Sequence, residues 1–248
     1  MPLPPPLVLS FAATDPTGGA GLQADVLTLA ALGCHPLSVA TAITVQDMHG
    51  VTRVQALDAP LVTEQATRLL AELPVAAFKI GVVASAANAQ AIGALLAAHP
   101  RVPVVLDPVL ASGRGDVLAD RAALEALRLH LLPRTTVLTP NTLEVRALGG
   151  VAACLERGCQ YVLVTGTHAD TPEVVNTLHG ATGVVREDRW PRLPASYHGS
   201  GCTLASAIAA RLAHGDAVPE AARAAQDYTW HALARGFRPA SGQHLPVR

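Results

Sequence analysis

Apolar residues along this chain fall into short runs that alternate with segments of helical periodicity. Residues 7–12 (Leu-Val-Leu-Ser-Phe-Ala) form the first run and end in the glycine turn Thr14-Asp15-Pro16-Thr17-Gly18-Gly19-Ala20-Gly21. Leu22, Val26, Leu29 and Leu32 then recur at helical steps, and Gly33 marks the helix end. Residues 37–44, rich in β-branched side chains, predict the next strand, with Gln46 just past its carboxyl end. The same alternation predicts a helix at about 60–72, a strand over 78–83, an alanine-rich helix to His99, and a strand over 102–106 closed by Asp107. A helix through Leu124, Leu127 and Leu131 and strands over 136–139 and 161–165 follow. Residues 174–178 and 183–186 flank His179-Gly180-Ala181-Thr182 and predict an antiparallel hairpin at a sheet edge. Two helices close the chain, one through Leu204, Ile208 and Leu212 and one at about 219–235.

Near-continuous apolar strands joined by helices imply a three-layer αβα sandwich, a mostly parallel sheet with helices on both faces. One domain over 1–248 is expected, with a flexible proline-rich start at 1–6 and a tail at 237–248. Ligands of such sheets bind beyond the carboxyl ends of the strands, where Asp15, Gln46, Asp107, Asn141, Gly166 and Gly199 are all expected. The segment His198-Gly199-Ser200-Gly201-Cys202-Thr203 leads directly into a helix. Its glycines allow close backbone approach, Ser200 suits an N-cap, and a helix start of this kind favours a phosphate. Cys202, in the first turn, is expected to have a lowered thiol pKa. An ordinary glycine-rich cap would look the same in isolation.

Composition narrows the chemistry. A net charge of −1 without any basic cluster argues against nucleic acid, and no apolar stretch is long enough to suggest a membrane partner. The start lacks a signal-peptide pattern, so a cytoplasmic protein is expected. Lys79 is the only lysine and lies between Phe78 and Ile80, which rules out a G-x-x-x-x-G-K-[ST] phosphate loop; Gly18-Gly19-Ala20-Gly21 lacks the G-x-G-x-x-G spacing. The four cysteines have no zinc-ligand spacing and read as reduced thiols. Asn141 and Glu144 open a helix on one face, an arrangement that suits either a hydrated Mg²⁺ or a capping box. His168, His179 and His198 read as surface or hydrogen-bonding residues.

Six blocks in order resemble the hydroxymethylpyrimidine/phosphomethylpyrimidine kinases of thiamine biosynthesis, in the ribokinase-like superfamily. They are residues 13–25, 45–51, Lys79-Ile80-Gly81, Leu106-Asp107-Pro108-Val109, Thr139-Pro140-Asn141 with Glu144, and 198–203. The resemblance implies ATP-dependent phosphorylation of 4-amino-5-hydroxymethyl-2-methylpyrimidine and then of its monophosphate. It places Ala13, Asp25, Gln46 and Val109 around the pyrimidine, and Gly199, Ser200, Gly201 and Cys202 in an anion hole with Cys202 as base. It assigns Asn141, Glu144, Thr165 and Gly166 to the nucleotide, with Asp107 and Glu144 toward Mg²⁺, and it implies a homodimer. Two family lysines are absent: Thr165 stands at one position, and Arg114, in Ser112-Gly113-Arg114-Gly115-Asp116, is the expected replacement for the other. The segment between Glu144 and Tyr161 also looks short for the family. A pyridoxal kinase and a non-catalytic pyrimidine-binding protein are the competing readings.

Overall fold

The computed structural model describes residues 4–110, 120–167 and 171–248. Arg114 and His168 therefore lie outside the described residues. Among those described, one nine-stranded sheet runs in the order β3-β2-β1-β4-β5-β6-β7-β8-β9. The strands are β1 (Leu7–Thr14), β2 (His35–Gln46), β3 (Val51–Ala56), β4 (Val75–Ile80), β5 (Val104–Leu106), β6 (Val137–Leu138), β7 (Tyr161–Val164), β8 (Glu173–Gly180) and β9 (Gly183–Pro191). The six from β2 to β7 are parallel, while β3 at one edge and β8 and β9 at the other are antiparallel. The expected hairpin is thus β8–β9.

Alternate residues of the parallel strands divide between two cores. Leu9, Phe11, Phe78, Ile80 and Leu106 point to one face, covered by α2 (Ala59–Glu72), α3 (Ala86–Ala97) and α4 (Arg121–Ala126), which continues as a π turn over Leu127–Leu131. Val8, Ala77, Val105, Val137 and Leu163 point to the other, where α7 (Ser200–Ala213) packs with α8 (Val218–Ala234) and α1 (Gly21–Ala31). Ala205, Ala207, Ala209 and Ala210 of α7 are all fully buried. Their small side chains let this helix lie close over the centre of the sheet, against β1, β4 and β5. Two short helices, α5 (Thr142–Ala147) and α6 (Val151–Glu156), fill the brief span before β7.

Several expectations need correction. β3 carries too many exposed polar residues (Thr52, Arg53, Gln55) to stand out as a strand. Strand β4 ends at Ile80, and β5 and β6 are shorter than their apolar runs. Of the proline-rich start, Pro6 is paired, its carbonyl accepting from the His35 N–H (2.9 Å). The tail is folded in: Phe237 and Leu245 exchange backbone hydrogen bonds, and His244 bonds with Ser196 and His198.

At the far edge the two tryptophans stack, Trp190 of β9 on Trp230 of α8, with ring centroids 6.4 Å apart and Arg223 over the Trp190 face. The Trp190 indole N–H donates to Gln226 Oε1 (3.1 Å). That same oxygen accepts from Asn176 Nδ2 (2.9 Å), and Asn176 Oδ1 accepts the Gly166 N–H (3.0 Å). A buried polar chain therefore connects the edge to the turn after β7.

Candidate active site

The chain leaves β1 toward β2 on one side and toward β4 on the other, so the sheet order reverses between β1 and β4. Ligands of open α/β sheets bind in the crevice at such a switch point, and the N-terminus of α7 lies there against Gly19 and Asp107. Gly199 is the N-cap of α7, in the left-handed region at φ 77°. Ser200 is the first helical residue, so its expected role as N-cap is corrected. Only glycine adopts this conformation readily, and a β-carbon there would stand 1.9 Å from the Gly19 carbonyl oxygen. The carbonyl of Gly199 accepts from both the N–H and the hydroxyl of Thr203 (2.9 and 2.8 Å).

Cys202 lies half-buried one turn in, with a backbone N–H of Gly21, the first residue of α1, directed to its sulfur. Burial pushes its thiol up to about 11, although the Lys79 ammonium and the Gly21 N–H pull the other way. The expected lowering of the Cys202 pKa is therefore overturned: desolvation outweighs the helix terminus. The other cysteines, Cys34, Cys154 and Cys159, are buried residues and also raised, whereas Cys202 as a residue is partly exposed.

Beneath the turn is a buried ionic cluster. Asp25 is completely inaccessible and accepts from Ser10 Oγ (2.6 Å), Ser206 Oγ (2.8 Å) and Lys79 Nζ (2.8 Å). It therefore does not line the crevice as expected; its carboxylate is spent on these three partners. Burial alone would push the Lys79 ammonium toward neutrality, but Asp25, Cys202 and Asp107 hold it above the usual lysine value.

Asp15 orders the adjoining loop. Its carboxylate accepts from the Thr17 and Ala20 N–H groups, the Thr17 hydroxyl and His198 Nε2 (2.8 Å). Burial would raise its pKa, yet these bonds and one from the Gln46 side chain hold it well below the usual carboxylate range. The register pairs Thr14 with Ile43, so Gln46 projects past the end of β1 beside this loop. Ala13 is buried, its carbonyl packed on Gly21, while Val109 is half-buried past the end of β5.

The residues expected at the nucleotide cluster at the ends of β6 and β7. Asn141 and Thr165 form a β-bridge, and the Thr165 N–H donates to Pro140 (2.9 Å). A β-carbon on Gly166 would stand 2.3 Å from the Val175 carbonyl oxygen, so the turn requires glycine. Asn141 and Glu144 form a complete capping box, each side chain bonded to the other's backbone N–H. The capping alternative is therefore present, and Glu144 Oε2 is partly engaged by it.

Asp107 Oδ2 is buried with no hydrogen-bond partner among the described residues. It faces the α7 turn, since a β-carbon on Gly201 would lie 3.5 Å from it. Burial raises Asp107 to about 6, and burial plus the nearby Asp107 charge raises Glu144 to about 8. Two hard, mutually repelling carboxylates, one with an orphaned oxygen, fit a divalent cation shared with phosphate oxygens. A pH dependence follows. In the ligand-free protein the folded state holds protons on both groups that the unfolded chain has released, so stability falls as pH rises from about 4 through 6 and 8. The lowered carboxylates Asp15 and Asp188 act only below about pH 4. Urea unfolding between pH 4 and 8 is expected to show a loss of about 1–3 kcal/mol, reduced in Asp107→Asn. A flat profile in the parent protein would show that these carboxylates are not held protonated.

The phosphomethylpyrimidine kinase family model matches residues 15–248. The chain belongs to the phosphomethylpyrimidine kinase family. It is 40% identical to a hydroxymethylpyrimidine/phosphomethylpyrimidine kinase of Streptomyces coelicolor, over 99% of this chain and 95% of the relative. The solved phosphomethylpyrimidine kinase of Clostridium difficile matches with a TM-score of 0.78 at 32% identity, covering 90% of this chain and 97% of that one. The pyridoxal kinase of Staphylococcus aureus, solved with AMP-PCP and pyridoxal, matches with a TM-score of 0.88 at 26% identity, covering 98% and 93%. This phosphomethylpyrimidine kinase family member is a phosphotransferase with the ribokinase-like architecture that the sequence blocks implied. The pyridoxal kinases are its structural relatives. Among the described residues, no helix is long and apolar enough to cross a membrane.

Proposed function

We propose that this kinase transfers the γ-phosphoryl group of ATP to the hydroxymethyl oxygen of 4-amino-5-hydroxymethyl-2-methylpyrimidine, and a second one to the resulting monophosphate, in the crevice between β1, β4 and α7. The observation that carries the assignment of roles is the Cys202 thiol seated at the start of α7, beside the Lys79 ammonium, with Asp107 facing the same turn. In-line phosphoryl transfer asks for positioning, charge stabilisation and a proton acceptor. The backbone N–H groups of Ser200, Gly201 and Cys202 face outward from the helix start and stabilise charge on the transferred group. Cys202 takes the hydroxyl proton only as its thiolate, after its own proton has passed to solvent; with a thiol near 11 that form is scarce at neutral pH but strongly basic, and Lys79 compensates its charge.

Gln46, oriented by Asp15, presents amide donors and an acceptor to the aminopyrimidine edge, with Ala13 and Val109 as walls. Asn141, Thr165 and Gly166 flank the nucleotide. Asp107 and Glu144 would hold Mg²⁺, which would neutralise charge on the β- and γ-phosphates. Lys79 is fully buried and does not reach a nucleotide. The four unpaired thiols support a reducing, cytoplasmic setting.

The direct test is mass detection of mono- and diphosphate after incubation with the pyrimidine alcohol and Mg-ATP, with pyridoxal as competitor. Sequential appearance of both products is expected. Phosphorylation of pyridoxal alone would overturn the substrate assignment, and no ATP turnover would favour a non-catalytic binder. Gln46→Leu is expected to weaken binding of the pyrimidine by about 1–3 kcal/mol while ATP affinity holds. Unaltered pyrimidine affinity by calorimetry would remove Gln46 from the pocket.

A further inference from the structure

The phosphate-binding turn is held from behind by a residue outside the motifs that carry the family resemblance. Arg248 donates through Nη2 to the Gly19 carbonyl, in the turn before α1, and through Nε to Thr203 Oγ1 (3.0 Å), in the first turn of α7. That hydroxyl in turn donates to the Gly199 carbonyl (2.8 Å). One planar guanidinium thus ties both glycine turns together where they are most tightly packed: a β-carbon on Gly199 would meet Gly19 O at 1.9 Å and Arg248 Nη2 at 2.9 Å.

The segment that delivers Arg248 is itself fixed. His244 bridges to Ser196 and His198, Leu245 pairs with Phe237, and the Val247 N–H donates to the Ala232 carbonyl of α8 (3.0 Å). The guanidinium is half-buried among Cys202, Asp25, Tyr228 and Asp15. It is therefore a cation built into the floor of the turn. A lysine would offer a single point of charge where the structure uses two directed donors toward two acceptors.

We propose that Arg248 is a positioning residue for phosphoryl transfer, locking the left-handed turn at Gly199 so that the N–H groups of residues 200–202 stay aimed at the transferred group. The inference rests on the reading of that turn as the phosphoryl site. A merely structural anchor would lower stability without changing turnover per folded molecule.

The test uses the full chain carrying Arg248→Met, Arg248→Lys and Arg248→Ala, with kinetics on the pyrimidine alcohol and ATP and with folding followed by near-UV circular dichroism. Arg248→Met is expected to lower kcat by about 10²-fold, the scale of a small misplacement at the reacting centre, with little change in the KM for the pyrimidine alcohol. Arg248→Lys is expected to fall between, and guanidinium ion at low concentration to restore part of the Arg248→Ala rate. Thr203→Val, which keeps the shape and removes the bridging hydroxyl, carries the same test if Arg248→Met does not fold, with a smaller kcat loss expected. Wild-type kcat in folded Arg248→Met, or in Thr203→Val if Arg248→Met does not fold, overturns the inference. If that result accompanies a slow Cys202→Ala enzyme, the reading of the turn survives and only Arg248 is dismissed. Normal turnover in Cys202→Ala would instead count against Cys202 as the base.

Discussion

Cys202→Ala is expected to keep its fold and its ATP affinity and to lose about 10²- to 10⁴-fold in turnover, the usual contribution of a positioned general base. The structure sharpens how this should appear. Because burial raises the thiol to about 11, Cys202 is protonated at neutral pH in the ligand-free enzyme. Alkylation by iodoacetamide should therefore be slow near pH 7, accelerate as pH rises toward 11, select Cys202 over the three deeply buried cysteines, and be blocked by the bound pyrimidine. The N–H groups of the α7 turn remain in Cys202→Ala, which explains why some catalysis should persist. Turnover at the parental rate would remove Cys202 from the chemistry and leave the anion hole standing.

Lys79→Met is expected to cost about 3–5 kcal/mol of stability, because it leaves the Asp25 carboxylate buried without its counter-charge. Both side chains of the pair are completely inaccessible, so neither water nor a surface ion can compensate. The double variant Lys79→Met/Asp25→Asn removes both charges and should recover much of that loss, giving a large coupling in a double-mutant cycle followed by urea unfolding. Folded Lys79→Met should still bind ATP. A single variant as stable as the parent would mean that Lys79 and Asp25 do not form a charged pair.

Sequence patterning revealed the layers and the parallel order because strands buried on both faces announce themselves as apolar runs, as in β1 and β7. It did not reveal β3, whose edge position lets Thr52, Arg53 and Gln55 face solvent. The α7 turn was legible from its glycines, but the choice between Gly199 and Ser200 as cap depended on the close approach of Gly19, which is remote in sequence. The depth of Asp25 was not legible either. Its partners Ser10, Lys79 and Ser206 come from β1, β4 and α7, and only the assembled sheet brings them to one carboxylate. For Cys202 the local rule, a helix start that stabilises a thiolate, was outweighed by desolvation that no spacing encodes. Arg248 left no signal in the motifs, because its role depends on the path of the folded tail.

The stacked indoles at the β9 edge give the molecule an optical property. With only two tryptophans in the chain, both at that edge, its near-ultraviolet emission comes essentially from one spot. Through Gln226 and Asn176 that spot is hydrogen-bonded to Gly166. If Gly166 contacts the nucleotide as proposed, that emission is expected to change when ATP is added, which a fluorescence titration would read.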